Sequence, residues 1–172
     1  ELLSEDEKHA LKVSELCGTI DRQIRPFPWG RDVALTLDPE AEEISIPANR
    51  MRLLRAVFNV LDNAWRANET VGTRGVELRV RRNAGCLEIE VLDNGPGYDA
   101  ERTHAYRSGW GSTGLGPAFT RRMVALHGGS LLIAGRTDQK RGARVLISLP
   151  IPSSPIPSSP IPSSPPTQPD AP

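Results

Sequence analysis

The sequence predicts an α/β fold, and three observations carry that expectation. Segments 48–68 and 115–130 place apolar residues at three- and four-residue steps, the repeat of a helix with one buried face. Segments 31–39, 42–47, 75–82, 86–93, 130–135 and 143–150 are short β-forming runs, most of them alternating apolar with polar residues. The two kinds interleave as helix, two strands, helix, hairpin, loop, helix, two strands, so helices and sheet share one core.

With 172 residues the chain has room for one domain of ordinary size. Its 21 basic residues are matched by 21 acidic ones, so it lacks the basic excess of a nucleic-acid binder. No apolar run approaches the ~20 residues that cross a bilayer, and no signal-peptide pattern opens the chain. A soluble, cytoplasmic domain without membrane contact is expected. Cys17 and Cys86 are too few and too far apart for a disulfide framework or a zinc site, and are expected as buried thiols. Beginning at Glu1, the chain is expected to be a piece of a longer protein.

Residues 4–24 read as a helix opened by a Ser4–Glu7 capping box, with Leu11, Val13, Leu16, Cys17 and Ile20 along one face. His9, on its polar side, reads as a surface histidine. Pro26 and Pro28 stop the helix. RDVALTLDP and EEISIP then read as two strands joined by an Asp38-Pro39 turn.

In segment 48–68 the expected buried stripe is Met51, Leu54, Val57, Phe58, Leu61, Ala64 and Trp65. Asn59 and Asn63 stand one helical turn apart beside it, with Asp62 between them and Arg66 one turn beyond. Asparagine is a mediocre helix former, which favours a chemical role. An amide carbonyl is a hard oxygen donor suited to Mg²⁺, and an arginine suits phosphate.

Two alternating strands follow, joined by the hairpin signal Asn83-Ala84-Gly85. The second delivers Asp93 to the turn Asp93-Asn94-Gly95-Pro96-Gly97. A carboxylate there can accept a hydrogen bond from an exocyclic amine such as that of adenine, or cap its own backbone in an Asx turn. After a polar loop, the glycines of 109–116 open the next helix and offer backbone N–H groups and the positive end of a helix dipole, which suits phosphate. Leu115, Phe119, Met123, Val124 and Leu126 are the buried candidates of that helix, and His127 is expected to bond its last carbonyls. Strands 130–135 and 143–150 close the domain. The remainder, a repeated IPSSP, cannot pack a core and is expected as a polyproline or disordered spacer.

Four segments in this order, FNVLDNAWRA, DNGPGYD, GSTGLGPAF with HGGSL, and RGARVLISLP, resemble the N box, first and second glycine boxes and closing motif of one family. It is the ATP-binding catalytic domain of bacterial sensor histidine kinases, within the GHKL ATPase superfamily. The resemblance covers about residues 30–150. It implies a two-layer sandwich, a mixed and mainly antiparallel five-stranded sheet packed on three helices. It also implies an end of a dimerisation helix or a linker over 1–29, the ATP-binding domain over 30–150 and a Pro/Ser-rich tail over 151–172.

Residue by residue, the resemblance assigns Asn63 to Mg²⁺ and Asp93 to the adenine amine, with Gly95 and Gly97 shaping the adenine pocket. Thr113, Gly114, Leu115 and Gly116 fall to the phosphates, and Asn59 and Arg66 to catalytic positions facing phosphate or metal. Three departures are visible. Asn59 stands where the hydrolysing members of the superfamily carry a glutamate, and Ala143 where the closing motif usually carries a threonine. The phenylalanine-rich lid motif is reduced to Tyr106-Arg107. The implied activity is transfer of the ATP γ-phosphate to a histidine on a dimerisation domain outside this chain, with a response regulator downstream and a homodimeric parent protein. The alternatives are a non-catalytic module of the same fold and an anti-sigma-factor serine kinase.

Overall fold

The computed structural model describes residues 7–98 and 115–153. Within them a five-stranded sheet has the order β2-β4-β5-β7-β6. Its strands are β2 (Val33–Leu37), β4 (Val76–Asn83), β5 (Cys86–Leu92), β6 (Ser130–Gly135) and β7 (Ala143–Pro150). The β2–β4 pair is parallel and the other three pairs are antiparallel. Helices α1 (Val13–Ile24), α3 (Arg50–Thr70) and α4 (Leu115–Leu126) supply the other layer. Their buried residues, among them Leu16, Ile20, Leu53, Leu61 and Val124, share one core with Leu78, Val80, Leu87, Ile89, Ile147 and Leu149 of the sheet. This is the expected sandwich.

The opposite face of the sheet is charged rather than apolar. Arg79 lies across from Glu90 and Arg81 across from Glu88 in the β4–β5 register, so opposite charges meet as cross-strand pairs. Arg144 of β7 adds a 2.6 Å bond to Glu90. Glu88 and Glu90 are buried under these arginines. The β4–β5 hairpin turns through Ala84 and Gly85, both with positive φ, the conformation that matches the right-handed twist of the paired strands.

The N-terminal region differs from expectation. Residues His9–Lys12 form a strand, β1, and the helix starts only at Val13. β1 pairs antiparallel with β3 (Ser45–Ala48) in a separate two-stranded ribbon. A helix starting at Val13 leaves no role for a cap at Ser4, which itself lies outside the described residues. Backbone pairing with a distant segment outweighs the helical spacing that Leu11 shares with Leu16. The strands at 33–37 and 45–48 are likewise not partners. They are separated by the one-turn helix α2 (Pro39–Glu42) and belong to different sheets. Residues 9–24 belong to the same packed body as the sheet, with Leu16, Ile20 and Ile24 buried in its core.

Two stripes shift. In α3 the buried residues include Leu53 and Val60, while Met51 is 72% exposed and Phe58 and Trp65 are only partly covered. In α4, Met123 and Val124 are buried, Phe119 is half-buried and Leu126 is exposed. Cys17 is buried, which pushes its thiol up to about 11, whereas Cys86 is only half-buried. His127 behaves as expected. Its Nδ1 lies 2.7 Å from the Met123 carbonyl, and its Nε2 accepts the Asn49 N–H at 3.0 Å, which joins the end of α4 to the start of α3. No described helix is long and apolar enough to cross a membrane.

Candidate functional site

The end of β5 carries the most constrained acid of the candidate site. Beyond the last β5–β7 pair, Leu92 with Arg144, the Asp93 N–H reaches the Ala143 carbonyl at 3.1 Å. Asp93 Oδ1 accepts two backbone N–H groups, from Ala143 and from Gly95, both at 2.9 Å. The residue is 5% exposed. Burial raises its pKa above the ordinary aspartate value, and the two N–H groups and Arg136 pull the other way. Among the described residues both bonds fall on Oδ1, and no buried side-chain oxygen is left without a partner. Oδ2 carries no hydrogen bond among the described residues. Of the two roles read from the sequence, the Asx turn is present in the bond from the Gly95 N–H to Oδ1. Ala143 reaches Asp93 through its backbone alone.

The turn after Asp93 is held against the end of α3. Asn68, 1% exposed, accepts the Asn94 N–H at 2.7 Å and donates to the Gly75 carbonyl at 2.9 Å. A Cβ at Gly95 would lie 2.9 Å from the Ala67 backbone, so only glycine lets the turn touch the helix. Gly97 has φ +95°, a conformation that an L side chain resists. Arg136 donates to the Asp93 carbonyl and to Asn94 Oδ1, both at 3.1 Å.

The middle of α3 faces the first turn of α4. Asn59 Nδ2 donates to the Gly116 carbonyl and to Thr120 Oγ1, both at 2.7 Å. A Cβ on Gly116 would lie 3.1 Å from that amide. Asn63, one turn further along, is exposed, and its amide makes no hydrogen bond among the described residues. Arg66 is also exposed and pairs with Asp62 at 2.8 Å. Beside Asn59 and Asp62, a cleft of about 550 Å³ opens between the two helices, lined also by Phe27, Trp29, Arg55, Phe58 and Phe119. Arg55 stacks over the Phe119 ring at 5.0 Å. The described lining of this cleft does not include Asn63 or Asp93. The candidates form two clusters on α3, one around Asp93 at its C-terminal end and one around Asn59 at its middle. Thr113, Gly114 and the Tyr106-Arg107 remnant lie outside the described residues, and of Leu115 only its place at the start of α4 is described.

Residues 48–153 match the family described as Histidine kinase-, DNA gyrase B-, and HSP90-like ATPase. The chain belongs to this ATPase family. Its relatives are sensor histidine kinases. Against the sensor protein kinase PmrB of Pseudomonas aeruginosa it is 30% identical over 152 residues, covering 83% of this chain and 31% of that protein. The solved mycobacterial sensor histidine kinase MprB superposes with a TM-score of 0.65 at 25% identity, over 84% of this chain and 97% of that one. Full-length ShkA, solved in complex with AMPPNP, shares the fold with a TM-score of 0.66 at 21% identity, over 86% of this chain and 32% of that one. The chain spans about a third or less of the curated relatives it matches.

For this ATPase-family domain, sequence reasoning missed Asn68 and Arg136, and left Gly142 of the closing motif without a stated role. A third asparagine on the same helix, five residues past Asn63, was the available signal for the first. Arg136 stands at the head of a charged loop with nothing local to single it out.

Proposed function

We propose that this ATPase-family domain binds ATP with Mg²⁺ in the cytoplasm and presents the γ-phosphate to a histidine on a dimerisation domain of a longer, homodimeric sensor kinase. That kinase would pass the phosphoryl group on to a response regulator. The observation that carries the reading is Asp93, whose Oδ1 is held by two backbone N–H groups while Oδ2 bonds nothing among the described residues. This is an acceptor suited to one amine N–H of adenine.

The donor set fits the metal. Among the described residues no group of three or more His, Cys, Asp or Glu side chains could hold an ion, whereas Asn63 offers an exposed, unbonded amide oxygen. Mg²⁺ suits such a site, because it takes most of its ligands from phosphate and water and needs few from protein. When bound it would neutralise charge on the phosphate oxygens.

The protein's own residues bind and orient. Gly95 and Gly97 let the backbone approach the base. Asn59 holds the first turn of α4, where Leu115 and Gly116, with Thr113 and Gly114 before them, bring N–H groups toward phosphate. Arg66, released from Asp62, supplies a positive charge. An amide at Asn59 cannot act as a general base at neutral pH, which favours transfer over hydrolysis. An imidazole nitrogen is nucleophilic without one. Because residues 9–24 share the core, we place the start of the ATP-binding unit before β1, and read the tail after residue 153 as a spacer.

The test is incubation with labelled ATP, Mg²⁺ and a separately made dimerisation domain, alongside thermal melting. A Tm that rises with Mg²⁺–ATP and an acid-labile label on the dimerisation domain are expected. An acid-stable label would indicate a serine kinase, and no shift at millimolar nucleotide would indicate a non-catalytic module.

A further inference from the structure

Arg136 follows the last residue of β6, and its side chain is wholly buried. Each of its five N–H donors has a partner. Nε and one Nη2 hydrogen go to the two oxygens of Asp138, and the other Nη2 hydrogen goes to Glu77 Oε1 at 2.9 Å. Both Nη1 hydrogens go to the turn at the end of β5, to the Asp93 carbonyl and to Asn94 Oδ1, at 3.1 Å each. The side chain thus runs from the edge strand β6 across β7 to reach β5 and β4. Gly142 makes that path possible. A Cβ there would lie 1.9 Å from the Asp93 carbonyl oxygen and 3.0 Å from Arg136 Cδ.

We infer that Arg136 is a positioning residue for purine recognition, holding the Asp93 backbone and Asn94 so that the second Asp93 oxygen is aimed at the base. The inference rests on the nucleotide reading above. Ala143 and Gly95 hold Asp93 Oδ1, the Ala143 carbonyl takes its N–H, and Arg136 takes its carbonyl. With all four contacts made, the direction of Oδ2 is set before ligand arrives, which is what selectivity for one exocyclic group requires. A lysine has three donors on a point charge and cannot reproduce a planar fork with five. Asp138, with Glu77, also raises the Arg136 pKa and keeps it charged.

The experiment is titration calorimetry with Mg²⁺ and two nucleotides, ATP and the purine riboside triphosphate that lacks the 6-amino group. It uses the full chain, Arg136→Met, Arg136→Lys and Asp138→Ala, with melting curves as a check of folding. The unchanged chain should prefer ATP by about tenfold, the value of one matched hydrogen bond in a buried site. Arg136→Met should bring that ratio close to one mainly by weakening ATP, and Arg136→Lys should not restore it. Asp138→Ala, a surface change that loosens the guanidinium without opening the core, should lower the ratio about threefold and decides the matter if Arg136→Met fails to fold. A ratio unchanged in the folded variants, or equal weakening of both nucleotides, would show that Arg136 only stabilises the fold and would overturn the inference. If the unchanged chain binds neither nucleotide, the nucleotide reading fails and this inference with it. If it binds both equally, Asp93 does not read the amine and the inference alone is overturned.

Discussion

Asp93 and Ala143 bond to each other twice: the Ala143 N–H reaches Asp93 Oδ1 at 2.9 Å, and the Asp93 N–H reaches the Ala143 carbonyl at 3.1 Å. The pair extends the β5–β7 ladder by one step and turns a side chain into part of it. An asparagine at 93 keeps an oxygen to accept both N–H groups, but puts an NH₂ where the carboxylate had its second oxygen. Asp93→Asn should therefore leave the Tm unchanged or higher, because the burial that raises the Asp93 pKa is relieved when the charge is removed. ATP affinity should fall by about tenfold or more, since two donors then face each other. Melting and calorimetry on the same sample separate the two effects, and a Tm loss without an affinity loss would contradict this account.

Asn59 and Asn63 stand one turn apart on α3 yet should respond in opposite ways. Asn59 makes two hydrogen bonds to α4, so Asn59→Ala should destabilise the domain by about 1–2 kcal/mol in urea denaturation. Asn63 is exposed and bonds nothing among the described residues, so Asn63→Ala should leave stability unchanged and abolish the Mg²⁺-dependent part of nucleotide binding. Equal stability losses in the two variants would remove the distinction.

Gly142 should tolerate no side chain. Its φ is +137°, and a Cβ would overlap the Asp93 carbonyl. Gly142→Ala combines backbone strain with overpacking against main chain, and a loss of about 3 kcal/mol or more is expected. Chemical denaturation measures it, and a loss under 1 kcal/mol on the same scale would mean that the loop relaxes freely.

Glu77 gives a pH signature. Its hydrogen bond with Arg136, helped by Arg79, lowers its pKa below the ordinary value. A carboxylate with a depressed folded-state pKa contributes stability that is fully present above its unfolded pKa, about 4.3, and lost as pH falls through the folded value. The stability gap between the unchanged chain and Glu77→Gln should thus be constant near neutrality and close in acid below about pH 4. A gap that widens on acidification would have the wrong sign.

Much of the fold was legible because it is written in local periodicity. The β4–β5 hairpin, with Leu78 opposite Val91 and Val80 opposite Ile89, follows from alternation and from the Asn83-Ala84-Gly85 turn. The error at residues 9–12 has a different origin. Leu11, Val13, Leu16 and Ile20 fit a helical spacing, and nothing nearby announces that Ser45–Ala48 will supply a partner strand. Met51 and Leu126 failed for a related reason, since helical spacing marks a stripe but not where along it the sheet ends.

The sequence by itself determined the family and named the candidate acceptor groups. Asp93, Asn63 and the glycines around them are chemical types in a fixed order, and order survives without coordinates. Tertiary structure alone decided how those groups are held: Asn59 bonded to α4, Asn68 to the turn after β5, and Arg136 reaching across β7 to Asp93. Each is a hydrogen bond between segments far apart in the chain, and such a bond leaves no periodic trace. Its partners are chosen by packing distance, which a linear reading does not contain.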